Sequence, residues 1–249
     1  MTRFFATALI FFLLSPVLTA QEDEKKATVM LFGSYMTPLG EYGSKIGSNA
    51  GVTRRFGFNI GEEAGLAVPG VGLGLEFRTP VLAKGLEWAV SLQCLTNLVS
   101  TSEVTDFFRK ELDDTVQVEL ESGAWFHIPL FTGFTYGLDL GTSVKVHATL
   151  QAGVNITRQA PRSVKADGVL VEETSFKFMP DFGYLAGVGV CFFGDYELLI
   201  RYVDLGTPQY QGTRVLNEHF FTTIPRREND ISGDSRPVKM VVISLGYIL

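Results

Sequence analysis

The residues of this chain that could carry chemistry are three histidines, two cysteines, clustered loop acids and a set of regularly spaced charges. Acyl transfer or hydrolysis needs a nucleophile within hydrogen-bond reach of a base. His127, His147 and His219 are the candidate bases, but no G-x-S-x-G occurs and no Ser–His pair stands out. The expectation is therefore no catalytic site and no cofactor. Glu111, Asp113, Asp114, Glu228, Asp230 and Asp234 supply the hard oxygen ligands that Ca²⁺ takes, yet no EF-hand-like spacing appears. They read as solvated loop charges, with no metal expected. Cys94 and Cys191 match no zinc motif, and two cysteines are too few for a disulfide-built scaffold. Both read as buried or lipid-facing thiols. The spaced charges are Glu76, Arg78, Glu87, His127, Lys145, Asp181, Glu197 and Arg201, and each lies in a stretch where polar and apolar residues alternate.

Alternation of period two identifies strands, because successive side chains project to opposite faces. It is clearest from Val144 to Ile156, where Val144, Val146, Ala148, Leu150, Ala152, Val154 and Ile156 are apolar. Lys145, His147, Thr149, Gln151, Gly153 and Asn155 between them are polar, charged or glycine. Thirteen residues exceed the usual strand of about five or six and suit a tilted crossing of a bilayer, which takes roughly 9–11. Seven further strands are expected, at 27–38, 69–79, 86–98, 119–136, 178–193, 196–203 and 237–249. Pro129 cannot donate to a ladder, so a break or bulge is expected there. The connections between strands alternate in length: 39–68, 99–118, 157–176 and 206–236 are long, and 80–85, 137–142 and 194–195 are short.

That rhythm is the pattern of bacterial outer-membrane barrels, which have short periplasmic turns and longer outer loops. The eight charged groups share the face opposite the apolar one. In a membrane barrel they would lie inside, with Glu76, Glu87 and Glu197 set against Arg78, Lys145 and Arg201 as a salt-bridged plug. A lipocalin-like soluble barrel would instead carry them on its wet exterior, and would leave the loop rhythm unexplained. The interior of eight strands is just wide enough for side chains to fill, so a plug is expected ahead of an ion pathway.

Residues 1–20 have the layout of a secretory signal peptide: Arg3, an apolar run, then Leu18-Thr19-Ala20 before an acidic stretch. The mature domain is then 21–249. Without that segment 20 Lys+Arg face 27 Asp+Glu, a net charge of −7. This is the wrong sign for a nucleic-acid binder. No later stretch has the roughly 18 apolar residues of a membrane helix. A mean hydropathy of +0.19 is nevertheless high for a secreted chain.

Several segments carry a family resemblance: the signal peptide, Ile128-Pro129-Leu130, the L-Q-A-G-V run at 150–154, and Asp181-Phe182-Gly183 with Ala186-Gly187-Val188-Gly189-Val190. Leu198-Leu199-Ile200-Arg201-Tyr202 and the terminal L-G-Y at 245–247 complete them. On these the chain resembles small outer-membrane β-barrels, the OmpA/OmpX-like and PorT-like "porin family" proteins, over essentially its whole mature length. The family's terminal Phe is Leu249 here. The resemblance implies a closed eight-stranded antiparallel barrel in the outer membrane, delivered by the barrel-insertion machinery and surrounded by outer-membrane lipid. It also implies a monomer acting structurally or as an interaction platform for a protein or surface partner through its loops. The alternatives are a narrow porin-like channel and a lipid-modifying barrel enzyme.

Overall fold

The computed structural model describes residues 27–43, 51–53, 57–59, 65–81, 84–111, 116–141, 143–217 and 227–249. The signal segment, Asp113, Asp114 and His219 lie outside them, as do the side chains of Glu111 and Asp234. Among the described residues the chain forms β1 (Thr28–Leu39), β2 (Gly51–Thr53), β3 (Gly57–Asn59), β4 (Ala67–Pro80) and β5 (Leu86–Val99). Helix α1 (Ser102–Glu111) follows, then β6 (Val118–Ser122), β7 (Trp125–Asp139), β8 (Val144–Arg158), β9 (Arg162–Ala166) and β10 (Val169–Phe176). The remaining strands are β11 (Met179–Phe192), β12 (Tyr196–Asp204), β13 (Gln209–Leu216), β14 (Arg227–Ser235) and β15 (Lys239–Ile248).

Eight of these close an antiparallel barrel in the order β1-β15-β12-β11-β8-β7-β5-β4, a meander sealed where β1 meets β15. All eight are strands expected from the alternation. Leu150 and Val154 point outward, 63% and 41% exposed, as do Leu73, Phe134, Ile200 and Leu245. Glu76, Ser91, Gln151, Glu197 and Arg201 are buried on the other face. The barrel is thus inside-out relative to a soluble one.

Three expectations are corrected. The stretch 99–118 is not simply a loop, because α1 buries Val104 and Phe108. The strand expected at 119–136 is two strands in different sheets, interrupted at Gly123 and Ala124. There Gly123 N donates to Pro161 O at 2.9 Å, and a Cβ on Gly123 would meet the Pro161 ring at 2.9 Å. The chain bends at this contact from one sheet into the other. The connections 157–176 and 206–236 hold β9, β10, β13 and β14, which join β6 in a five-stranded sheet ordered β14-β13-β10-β9-β6. The break expected at Pro129 is present on one side: the pairing toward β5 lapses between Leu92↔Leu130 and Leu95↔His127, while the ladder to β8 is continuous.

The molecule therefore has two storeys. Five of the barrel's strands, β7, β8, β11, β12 and β15, run on after breaks of two to four residues into a sheeted cap at the long-connection end. One apolar core spans the join, with Met36, Leu95, Phe131, Leu185, Val203 and Met240 inside the barrel and Tyr42, Trp125, Phe176 and Tyr210 above them. A second core joins α1 to the cap sheet through Leu66, Val104, Phe108, Val118, Leu120, Val164 and Val171. The barrel interior is accordingly charged toward the short turns, while its cap-side half is packed with apolar side chains around the uncharged polar groups Asn97, His127, Asn155 and Thr157.

Candidate functional site

The charged half of the lumen is built from strand spacing. Glu76 and Arg78 on β4 are two residues apart and so share the inner face; Glu197 and Arg201 on β12 do the same at a spacing of four. Arg78 bridges them. Its Nε donates to Glu76 Oε1 at 2.5 Å, and its two terminal nitrogens donate to Glu197 at 2.7 and 2.5 Å in a bidentate fork. Arg201 lies 3.7 Å from Glu76 Oε2, donates to Ser244 Oγ at 2.7 Å, and stacks over Phe32 at 4.5 Å. His147 Nε2 approaches Glu197 Oε1 at 3.1 Å. Gln151, hydrogen-bonded by Ser91, donates to Glu76 Oε2 at 3.4 Å. Two carboxylates thus face two guanidiniums, a balanced set in a place where an unpaired charge would be costly.

Nearer the short turns, the half-buried Lys145 donates to Glu87 at 2.5 Å. Of the eight residues singled out in the sequence, Glu76, Arg78, Glu197 and Arg201 form one cluster and Glu87 with Lys145 a separate pair. Asp181 and His127 belong to neither. Asp181 stands at the opposite rim, where its Oδ1 accepts from Phe182 N and its carboxylate lies close to Gly206.

His127 organises a second network beneath the cap. A 3₁₀ turn, Gly40–Gly43, follows β1 and drops the fully buried Tyr42 into the barrel mouth. The Tyr42 hydroxyl donates to Asn97 Oδ1 at 3.0 Å, so its 2.8 Å contact with His127 Nε2 has the imidazole as donor. His127 Nδ1 is then the acceptor for Thr157 Oγ1 at 2.9 Å, and Thr157 in turn accepts from Asn155 Nδ2. Asn97 Nδ2 donates to Val68 O at 2.8 Å. Every proton in this chain points the same way, from Asn155 through the imidazole to a backbone carbonyl. Trp125 stacks on the His127 ring, its plane 11° away, and its Nε1 donates to Gly65 O. Burial, with Tyr210 close by, pushes the Tyr42 phenol well above its usual range and keeps it a donor. Tyr42 was missed in the sequence because a lone tyrosine in a Gly-rich connection carries no periodic signal.

On the cap, Lys165 donates to Glu121 at 2.6 Å and holds that carboxyl below its ordinary range. Arg214 pairs with Glu172 at 2.7 Å. No group of three or more metal-ligating side chains occurs among the described residues. Cys94 faces outward and Cys191 is partly buried; both are free thiols.

A closed barrel with an apolar exterior, a filled interior and every wall strand paired on both sides is the architecture that satisfies its backbone within hydrocarbon. No protein-family model matches the chain, and no curated protein matches it. Among solved structures it is similar to Ail, the attachment invasion locus protein of Yersinia pestis, at 10% identity and a TM-score of 0.44, over 91% of this chain and 100% of that one. It is similar to the outer membrane protein OprG from Pseudomonas aeruginosa at 11% identity and a TM-score of 0.43, over 90% and 97%. A major outer membrane protein from Thermus thermophilus is similar at 13% identity and a TM-score of 0.46, over 90% and 100%.

Proposed function

We propose that this protein is an integral outer-membrane barrel that acts as a closed anchor for a folded outer cap, and that the cap is its working surface for a protein or surface partner. The observation that carries this reading is the way the lumen is filled. Ion pairs occupy its short-turn half, an apolar layer seals its cap-side half, and Tyr42 stops the mouth between them and the cap. Three long connections meanwhile fold into a sheet and helix with a core of their own, which favours a rigid display surface over a lining for a channel. The short turns and the strand ends Thr28 and Ile248 lie on the periplasmic side in this orientation, the cap outside. Catalysis has no part in this reading.

Planar-bilayer recording of the refolded, heat-modifiable protein tests it. Silent membranes are expected at neutral pH. Reproducible unit-conductance steps from the wild-type protein would replace the closed anchor with a channel. A protein recovered in the soluble fraction with no heat-modifiable band would refute the membrane barrel itself.

A further inference from the structure

The outer wall of the barrel is uneven, and one part of it is hollow. Strand register sets Tyr136, Ala148, Val188 and Ile200 side by side across β7, β8, β11 and β12. The next row toward the short turns is Leu138, Val146, Val190 and Leu198. In the first row a single methyl group, on Ala148, stands between a tyrosine and a valine, so the wall sinks there. The hollow encloses about 440 Å³, within the range of roughly 300–1,000 Å³ typical of small-ligand sites. Larger side chains rise at either end and leave it open to the side. Leu150, 63% exposed, stands in the row on the mid-barrel side. Phe192 and Tyr196, stacked with ring centroids 6.1 Å apart, stand in the row at the short-turn side. Gly189 keeps the wall thin behind it, since a Cβ there would run into the His147 ring inside the barrel.

We infer that this hollow is a seat for one acyl chain of a phospholipid from the leaflet on the short-turn side. The inference rests on the membrane-barrel reading above. The hollow is continuous with the apolar belt, so the medium that reaches it is hydrocarbon. Its lining is aliphatic apart from the Tyr136 ring and the backing imidazole of His147, which leaves an acyl chain to recognise and no headgroup. Tyr196 and Tyr247, partly exposed and 5.4 Å apart, mark the short-turn interface where aromatic belts sit. The headgroup of the seated lipid would lie at that level.

Native mass spectrometry of the detergent-purified barrel, incubated with limiting palmitoyl phosphatidylethanolamine, tests the seat. Wild-type protein is expected to retain one lipid that Ala148→Phe loses, with occupancy falling about ten-fold or more. Ala152→Phe, outward on the same strand but outside the hollow, should retain it. Ala148→Leu fills the hollow more gently and serves if the phenylalanine variant lacks a heat-modifiable band. Equal retention by wild type and a folded Ala148 variant would overturn the seat, as would equal loss from the Ala152 variant. A wild-type dimer that Ala148→Phe separates, with lipid unchanged, would overturn it in favour of a second copy. A wild-type chain that binds no lipid and shows no heat-modifiable band would refute the membrane reading instead.

Discussion

The sharpest expectations concern single side chains whose partners are buried with them. Removing the Tyr42 hydroxyl leaves the His127 Nε2–H and Asn97 Oδ1 unpaired beneath the cap, at a cost of about 1–3 kcal/mol for each buried group so stranded. Tyr42→Phe should therefore unfold at lower denaturant while keeping the barrel band on a gel. The same phenol predicts an alkaline limit. Its pKa is raised in the folded state, so its contribution is complete below the unfolded tyrosine value of about 10 and is lost as pH rises further. Near-ultraviolet circular dichroism should report loosening around Trp125 above that pH, and Tyr42→Phe should flatten the dependence. In the lumen, Arg78→Met removes the bidentate partner of Glu197 and the closest partner of Glu76, leaving the first with His147 and the second with Arg201 and Gln151. Breaking a buried pair in this way costs about 3–5 kcal/mol, while Arg78→Met combined with Glu197→Gln should recover part of the loss in the same urea titration. The faces carrying Glu76, Arg78, Glu197 and Arg201 could be read from strand parity alone. Which of them touch could not, because contact across a lumen depends on strand order and stagger as well as on parity.

At the level of elements, the barrel strands were legible because lipid imposes one requirement on every outward position for a dozen residues at a time. Val144 to Ile156 needed only that rule. The cap strands answer to no such rule: β9 and β6 are five residues each, and their exposed faces carry Glu119, Glu121 and Lys165 as any solvated loop would. One signal was nevertheless present in the chain. Asp167-Gly168 between β9 and β10 has φ of 50° and 78°, the twist-matched turn that Asp-Gly favours between short strands. Helix α1 was equally readable from Val104, Phe107 and Phe108, at helical spacing. Gly168→Val forces a branched residue into the left-handed region at about 1–2 kcal/mol, and should raise the rate of proteolytic nicking within 162–176. Phe108→Ala removes a fully buried ring for about 3–5 kcal/mol. Limited proteolysis should then release α1 from a barrel that still shifts on a heat-modifiability gel.

For the molecule as a whole, the two cores and the barrel wall beneath them predict unfolding in three steps. The core of α1 and the cap sheet shares no buried residue with the one that fills the barrel mouth. Thermal unfolding should lose the α1 core first, followed by the junction where Trp125 stacks on His127, with barrel strand content lost last. A single transition by both Trp fluorescence and far-ultraviolet dichroism would show the storeys to be one unit. The division itself was hidden from sequence because it falls at breaks of two to four residues, too short to register as boundaries between domains. Those breaks also set a chronology for biogenesis. β9 and β10 belong to one long hairpin and could zip early, but β6 reaches β9, and β13 reaches β10, only when neighbouring hairpins of the wall already stand side by side. The cap sheet therefore assembles with the five wall strands it continues, β7, β8, β11, β12 and β15, and its completion would report that these stand side by side, whether or not β1 has closed on β15.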